Sequence, residues 1–251
     1  MPEVTDRKWV QERLERDSAW TAYALADLEP GYVENTSWFC DAKGQGLTLL
    51  FRGYSTPLIF CIEESRRRGS ILDEIDWILG GSGRYVVTRP EGAPLIRARY
   101  RVREERPTIR MKLDVLRYRR DLPHGATRLG TEHLHAVKEL YREDPPEFFL
   151  DRMLAEGVYF GIFEGSSLAS VAGTHVLSRK HSVGAVGNVY TRPGRREQGC
   201  GSSVTAAVSS RLVEMGIRTI VLNVREENQA AVRLYARLGY SAHCRFVEAI
   251  S

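Results

Sequence analysis

The period of apolar and polar positions changes several times along the chain, and each change marks an element. Trp9, Val10 and Leu14 recur at helical spacing and predict a helix over residues 6–20; a short helix over 21–28 ends at Pro30-Gly31. Apolar runs predict strands at 37–40, 47–52 and 58–62, with turns at Gly44-Gln45-Gly46 and from Gly53 to Pro57. Ile71, Leu72, Ile75, Ile78 and Leu79 share one face of a helix over 70–79, closed by Gly80-Gly81-Ser82-Gly83. Strands at 84–88, 96–102 and 108–115 follow.

Leu122-Pro123-His124-Gly125 reads as a linker, after which the pattern restarts. A helix over 132–142 carries Leu134, Val137, Leu140 and Tyr141 on one side, and after Pro145-Pro146 residues 147–156 are again helical. Strands at 159–163, 168–176 and 183–191 read as antiparallel, with Gly165-Ser166 as a tight turn. The chain thus divides into domains 1–121 and 126–251. Both run through helices, three strands, a helix and further strands without a residue-level repeat, so a duplicated fold with a diverged first copy is expected from element order.

The densest chemistry follows the strand 183–191. Arg196-x-x-Gly199-x-Gly201 opens a helix over 202–215, in which Val204, Val208, Leu212 and Met215 share a face and Gly216 is the stop. Glycines let a ligand approach the backbone, and free N–H groups at a helix start favour an anion. No Gly-Lys-Ser/Thr follows, and the third glycine of a dinucleotide fingerprint is missing. A buried strand at 219–224 leads to Asn228, which starts a helix bearing Ala231, Leu234, Tyr235 and Leu238 on one face and closed by Gly239.

From about Thr127 to Val247 the sequence resembles the GNAT superfamily of acyl-CoA-dependent N-acyltransferases. The resemblance rests on Arg196 to Gly201, which match the cofactor motif, and on Asn228 to Tyr240, which match the later Asn-x-x-Ala-x-x-Leu-Tyr-x-x-Leu-Gly-Phe signature with Tyr240 in the Phe position. The stretch Gly187 to Pro193 is also similar to the glycine-N-acyltransferase-like branch. The resemblance implies an α+β fold, a mixed and mostly antiparallel sheet flanked by helices, in tandem with a diverged N-terminal GNAT-like domain. That first domain shows no loop of this kind; it would shape the acceptor pocket, and Trp20, Tyr23, Trp38 and Phe39 either line that pocket or are core.

By the same resemblance, backbone groups of Val189, Tyr190 and Thr191 bind the acyl carbonyl and pantetheine of acetyl-CoA. Arg196, Glu197, Gln198, Gly199, Cys200, Gly201 and Ser202 form the pyrophosphate loop, and Asn228 binds the cofactor or orders its surroundings. Tyr235 gives a proton to the departing thiolate, as a phenol protonated at neutral pH can. Asn188 is a candidate for orienting the acceptor or a water. Many family members place a Glu five residues before the Asn; here that position is Asn223, which takes no proton. A water chain, His175 or Glu164 is the substitute.

Composition changes this picture little. A net charge of +4 on 251 residues, mostly from arginine, establishes no nucleic-acid partner, and runs such as Arg66-Arg67-Arg68 read as solvated faces. Without a long apolar run or a secretory leader, a cytoplasmic protein is expected. Cys40, Cys61, Cys200 and Cys244 lack metal-ligand spacing, so neither zinc nor a disulfide framework is expected; Cys200, between two glycines, is either a small filler or a reactive thiol. The expected activity is acetyl transfer from acetyl-CoA to a small amine or amino acid, with a protein N-terminus as second choice, by a monomer or homodimer. The rival is a non-catalytic acyl-CoA-binding regulator.

Overall fold

The computed structural model describes residues 3–63, 65, 68–81, 83–118 and 125–251. Leu122, Pro123 and His124 of the expected linker, and Arg66 and Arg67, lie outside them. The elements are α1 (Arg7–Leu14), α2 (Ala22–Ala26), β1 (Thr36–Phe39), β2 (Thr48–Phe51), β3 (Leu58–Cys61), α3 (Arg68–Leu79), β4 (Tyr85–Thr88), α4 (Ala93–Arg99) and β5 (Glu104–Leu113). They continue as β6 (Thr127–Leu129), α5 (Leu134–Leu140), α6 (Met153–Glu156), β7 (Tyr159–Glu164), β8 (Ser167–Ser178), β9 (Val183–Thr191), α7 (Cys200–Glu214), β10 (Thr219–Arg225), α8 (Gln229–Arg237) and β11 (Tyr240–Ile250).

Two compact units result: residues 1–110 with 224–227 and 242–251, and residues 111–223 with 228–241. Their limits do not follow chain order, because most of β11 counts with the first unit. In that unit β1, β2 and β3 are antiparallel neighbours, β3 and β4 run parallel, and Val247–Ile250 of β11 pair antiparallel with Tyr85–Thr88 of β4. Phe39, Leu50, Ile59, Ile71, Ile75 and Val86 pack the core between sheet and α3. Trp20, Trp38 and Phe39 are buried core side chains. The Arg110 guanidinium is buried too: it donates to the Trp20 carbonyl and lies 5.1 Å from the Trp20 ring centroid, 4.8 Å from Tyr23 and 5.1 Å from Phe246.

The second unit orders its strands β10-β9-β8-β7-β6, with only the β9–β10 pair parallel. Leu129, Val137, Met153, Leu154, Tyr159 and Val171 form the core under α5 and α6. Val204, Val208 and Leu212 are buried along α7, as helical spacing predicts. The unit is a mixed sheet flanked by helices. Along the chain, α1 to β5 and, after β6, α5 to β11 each run through helices, three antiparallel strands, a helix, a strand parallel to a neighbour and a helix into a last strand.

Several expectations are corrected. Residues 96–102 are not a strand: Pro94 sits in the first turn of α4, and Ala93, Ile96 and Tyr100 turn inward at helical spacing. β5 begins at Glu104 rather than 108, its charged start held by the Arg97–Glu105 and Arg106–Glu104 ion pairs. The helix expected over 147–156 shrinks to α6, and α7 begins at Cys200 rather than 202. The apolar pattern predicts neither β6 nor β11. Among the described residues no helix is long and apolar enough to cross a membrane, and no His/Cys/Asp/Glu group could hold a metal. All four cysteines are free.

Candidate active site

The site grows from the way β9 leaves its parallel partner. Val183–Val186 of β9 pair with Thr219–Leu222 of β10, and there the ladder ends. β9 continues to Thr191 paired only with β8, so its edge towards β10 is open along Gly187–Thr191. Backbone polar groups left without a ladder need another partner, water or a ligand, which makes this edge a candidate binding surface.

Two irregularities shape that stretch. Val171 faces Tyr190 and Gly173 faces Gly187, so Asn188 and Val189 together oppose Ala172 in a β-bulge. Asn188 has φ +52, a left-handed conformation that asparagine tolerates better than most residues. A chain of hydrogen bonds holds it: the Tyr141 hydroxyl donates to the Asn188 carbonyl at 2.6 Å, and the Asn188 amide donates to the Tyr159 hydroxyl at 2.8 Å. The Tyr159 hydroxyl in turn donates to the Thr174 carbonyl at 3.1 Å. The second irregularity is on β8, where Thr174 faces Val186 and Val176 faces Ala185, leaving His175 as the inserted residue.

After Thr191 the chain makes a short turn and enters α7. Glu197 has φ +63 and Gly199 φ +82. The Arg195 and Arg196 amides donate to the Arg192 and Pro193 carbonyls at 2.8 and 3.2 Å, and the next amide with a backbone acceptor is that of Ser203, on the Gly199 carbonyl at 3.0 Å. Among the described residues, the amides of 198–202 therefore have no backbone acceptor, at the start of a 15-residue helix. Gly201 admits a close approach: a Cβ there would lie 3.3 Å from Thr191 Oγ1. Side chains brace the loop. Arg196 Nε donates to the Thr191 carbonyl at 3.1 Å, Gln198 Nε2 to the Gly194 carbonyl at 3.1 Å, and Arg195 pairs with Glu164.

The helix α8 stands next to this loop, its Leu234 also close to Gly201. Asn228 caps it, its Oδ1 accepting from the Ala231 amide at 3.0 Å. Tyr235 is 8% exposed, its ring edge-on to Tyr240 at 6.3 Å between centroids. Burial pushes its phenol up to about 12, so it is protonated at neutral pH. Among the described residues its hydroxyl has no protein partner, and it is not among the buried orphaned atoms, so it keeps a route outward.

Residues 159–247 match the family model described as FR47-like protein. A mycothiol acetyltransferase from Streptomyces avermitilis is 33% identical over 86 residues, 33% of this chain and 28% of that protein, so the match spans little more than a quarter of the relative. A GCN5-related N-acetyltransferase from Kribbella flavida superposes with a TM-score of 0.63 at 19% identity, over 92% of this chain and 95% of the other. A tandem GNAT protein from the clavulanic acid biosynthesis pathway superposes with a TM-score of 0.59 at 14% identity, over 99% of this chain and 97% of the other. The chain has the GNAT fold.

In that fold the residues named from the sequence fall into two groups. Val189, Tyr190, Thr191, the loop 196–202 and Tyr235 lie in one unit around the open edge of β9 and the start of α7. Asn188 and Asn228 have side chains engaged with protein, one holding the bulge and one capping α8. Glu164 is an ion-pair partner of Arg195 at the loop, and Asn223 is half-buried on β10. Sequence reasoning missed Tyr141 and Tyr159. Tyr141 looked like an ordinary core position on α5, and only the register shift shows that both phenols bear on Asn188.

Proposed function

We propose that the protein is an N-acetyltransferase that moves an acetyl group from acetyl-CoA to a primary amine of a small molecule or amino acid. The observation that carries the reading is the meeting of an open β9 edge, free amides at the α7 N-terminus and an unpartnered, protonated Tyr235 in one unit. These are the three things a pyrophosphate-bearing thioester needs. The α7 amides suit the pyrophosphate. Val189 to Thr191 offer backbone groups along which the pantetheine arm can pair as an added strand would. An amide on this edge is also placed to steady the carbonyl oxygen as it becomes an oxyanion.

A free amine attacks the thioester carbon directly; the N–C bond forms, the C–S bond breaks, and no protein nucleophile is required. In this reading Tyr235 serves the departing sulfur. A phenol held at about 12 is a weaker acid than a thiol near 8.5, so its contribution is a hydrogen bond that strengthens as thiolate charge develops. The proton that completes CoA comes from the new ammonium nitrogen, passed through this phenol. The relative named for mycothiol supports a small-molecule acceptor. We read the N-terminal stretch, α1 to β5, with its matching element order, as a diverged copy that has lost the loop, and the protein as cytoplasmic.

The second reading is a non-catalytic acyl-CoA sensor, favoured by Asn223 standing where a carboxylate base is common. Calorimetric titration with acetyl-CoA, alongside CoA release with glycine, spermidine, kanamycin and a tripeptide, separates them. Turnover supports the enzyme, and binding without turnover supports the sensor. No binding overturns both.

A further inference from the structure

We propose that His175 is the base of this site, taking the acceptor's proton through one water at the point where β9 leaves β10. This rests on the acetyltransferase reading above. His175 is the inserted residue of the β8 irregularity, opposite the Val186 and Ala185 pairings. Its ring lies against Gly187, where a Cβ would come within 3.0 Å of the His175 Cβ and 3.5 Å of its Cγ and Nδ1. A side chain at 187 would crowd His175 at its Cβ, so the glycine lets β8 and the imidazole lie close to β9 here. Gly187 is also the first residue of β9 beyond the ladder with β10, so the imidazole lies beside the residue where the strands part.

The ring is held in place. Phe148 stacks on it, with centroids 5.8 Å apart and planes 30° from parallel. The Asn188–Val189 bulge follows directly after Gly187, so the stretch of β9 that the proposed function gives to the acyl group begins beside the imidazole, where a water can join the two. The bulge turns the same face of β9 towards α6, since the Asn188 amide reaches Met153 and Tyr159 on that side.

The other groups on the surrounding elements are poor bases. Tyr141 on α5 donates to the Asn188 carbonyl, and burial holds its phenol well above the ordinary range. Tyr159 on β7 donates to the Thr174 carbonyl. Asn223 on β10 takes no proton, and Glu164 is paired with Arg195. Glu147 flanks Phe148 on the segment before α6 and is exposed, as is the cation Arg152. An imidazole is the side chain here with a ring nitrogen suited to accept a proton and return it to solvent. In the step, the acceptor's ammonium loses one proton through the water to His175, which gives it up to solvent. The amine attacks, and the second nitrogen proton goes to the CoA sulfur through Tyr235.

The test compares wild type with His175→Gln and His175→Ala, using acetyl-CoA and whichever of glycine, spermidine, kanamycin or the tripeptide wild type turns over. Melting temperature and acetyl-CoA affinity are read beside kcat/KM from pH 5.5 to 10. The expected result is a loss of roughly 100-fold in kcat/KM at pH 7 for His175→Gln. The deficit shrinks towards pH 10, acetyl-CoA affinity stays within about twofold of wild type, and added imidazole restores part of the rate of His175→Ala. A His175→Gln rate within twofold of wild type, or a lost rate whose pH profile keeps its shape, overturns the proposal and leaves the acetyltransferase reading standing. Wild type that binds acetyl-CoA but turns over none of the acceptors overturns that reading, and this proposal with it.

Discussion

The Asn188 amide donates to the Tyr159 hydroxyl at 2.8 Å while the Asn188 backbone stands at φ +52. One residue therefore supplies both the left-handed kink and the tie that holds it. The two can be separated. Asn188→Gly keeps the backbone and loses the tie, at a cost of about 1 kcal/mol. Asn188→Ala loses the tie and adds left-handed strain of about 1 kcal/mol or more. Denaturant melts should rank wild type above Gly above Ala, and acetyl-CoA affinity should follow the same order. Equal losses in the two variants would show that the backbone conformation carries no cost.

Tyr235→Phe keeps the ring and removes the hydroxyl. The phenol has no protein partner among the described residues, so the fold should be little affected. Turnover should fall roughly 100-fold, with acetyl-CoA affinity within about twofold of wild type. Steady-state kinetics and calorimetry on the same preparations check this, and an unchanged kcat removes Tyr235 from the mechanism.

The same residue predicts an alkaline weakness. Burial raises the Tyr235 and Tyr23 phenols from 10.0 to about 12 in the folded protein. Between those values the unfolded chain has lost the proton that the folded one keeps. The stability each contributes is therefore complete below pH 10 and is lost as pH rises through 12. The slope is about 1.4 kcal/mol per pH unit for each tyrosine. Urea melts at pH 8 and pH 11 should show Tyr235→Phe gaining about 1 kcal/mol relative to wild type. A difference independent of pH would mean that the phenol is not raised.

Gly199 and Gly201 should fail differently. Gly199, at φ +82 with open space around it, is needed for its backbone, so Gly199→Ala should cost about 1–2 kcal/mol and distort the amides before α7. Gly201 lies in an ordinary backbone region but close to Thr191, so Gly201→Val should press on the end of β9. Both should weaken acetyl-CoA binding about tenfold or more, measured by titration, while only Gly199→Ala should be relieved by a D-alanine at the same position.

How much of this was legible in the sequence depends on how local the cause is. The α7 loop was readable because Gly199 and Gly201 act through their own backbones, and α8 because Asn228 caps its own helix. The alternation from Ile96 to Tyr100 imitated a strand because arginines fall between apolar residues, whereas Pro94 and the inward Ala93, Ile96 and Tyr100 decide for a helix. β11 was missed because His243 and Arg245 lie among its first residues, and its apolar face begins only at Phe246. The bulge at Asn188 was beyond reach, since Tyr141 and Tyr159, which hold it, are 47 and 29 residues away in the chain.

The pairing of Val247–Ile250 with β4 has a consequence for biosynthesis. A ribosome delivers the first 110 residues long before it delivers 242–251, yet the first unit needs both. Until then β4 presents the row of unpaired backbone groups that those residues will cover, a template for association with other nascent chains. The N-terminal unit is thus the first to be synthesised and cannot be the first to be finished, and a ribosome stalled before Ala242 would release it open on that side.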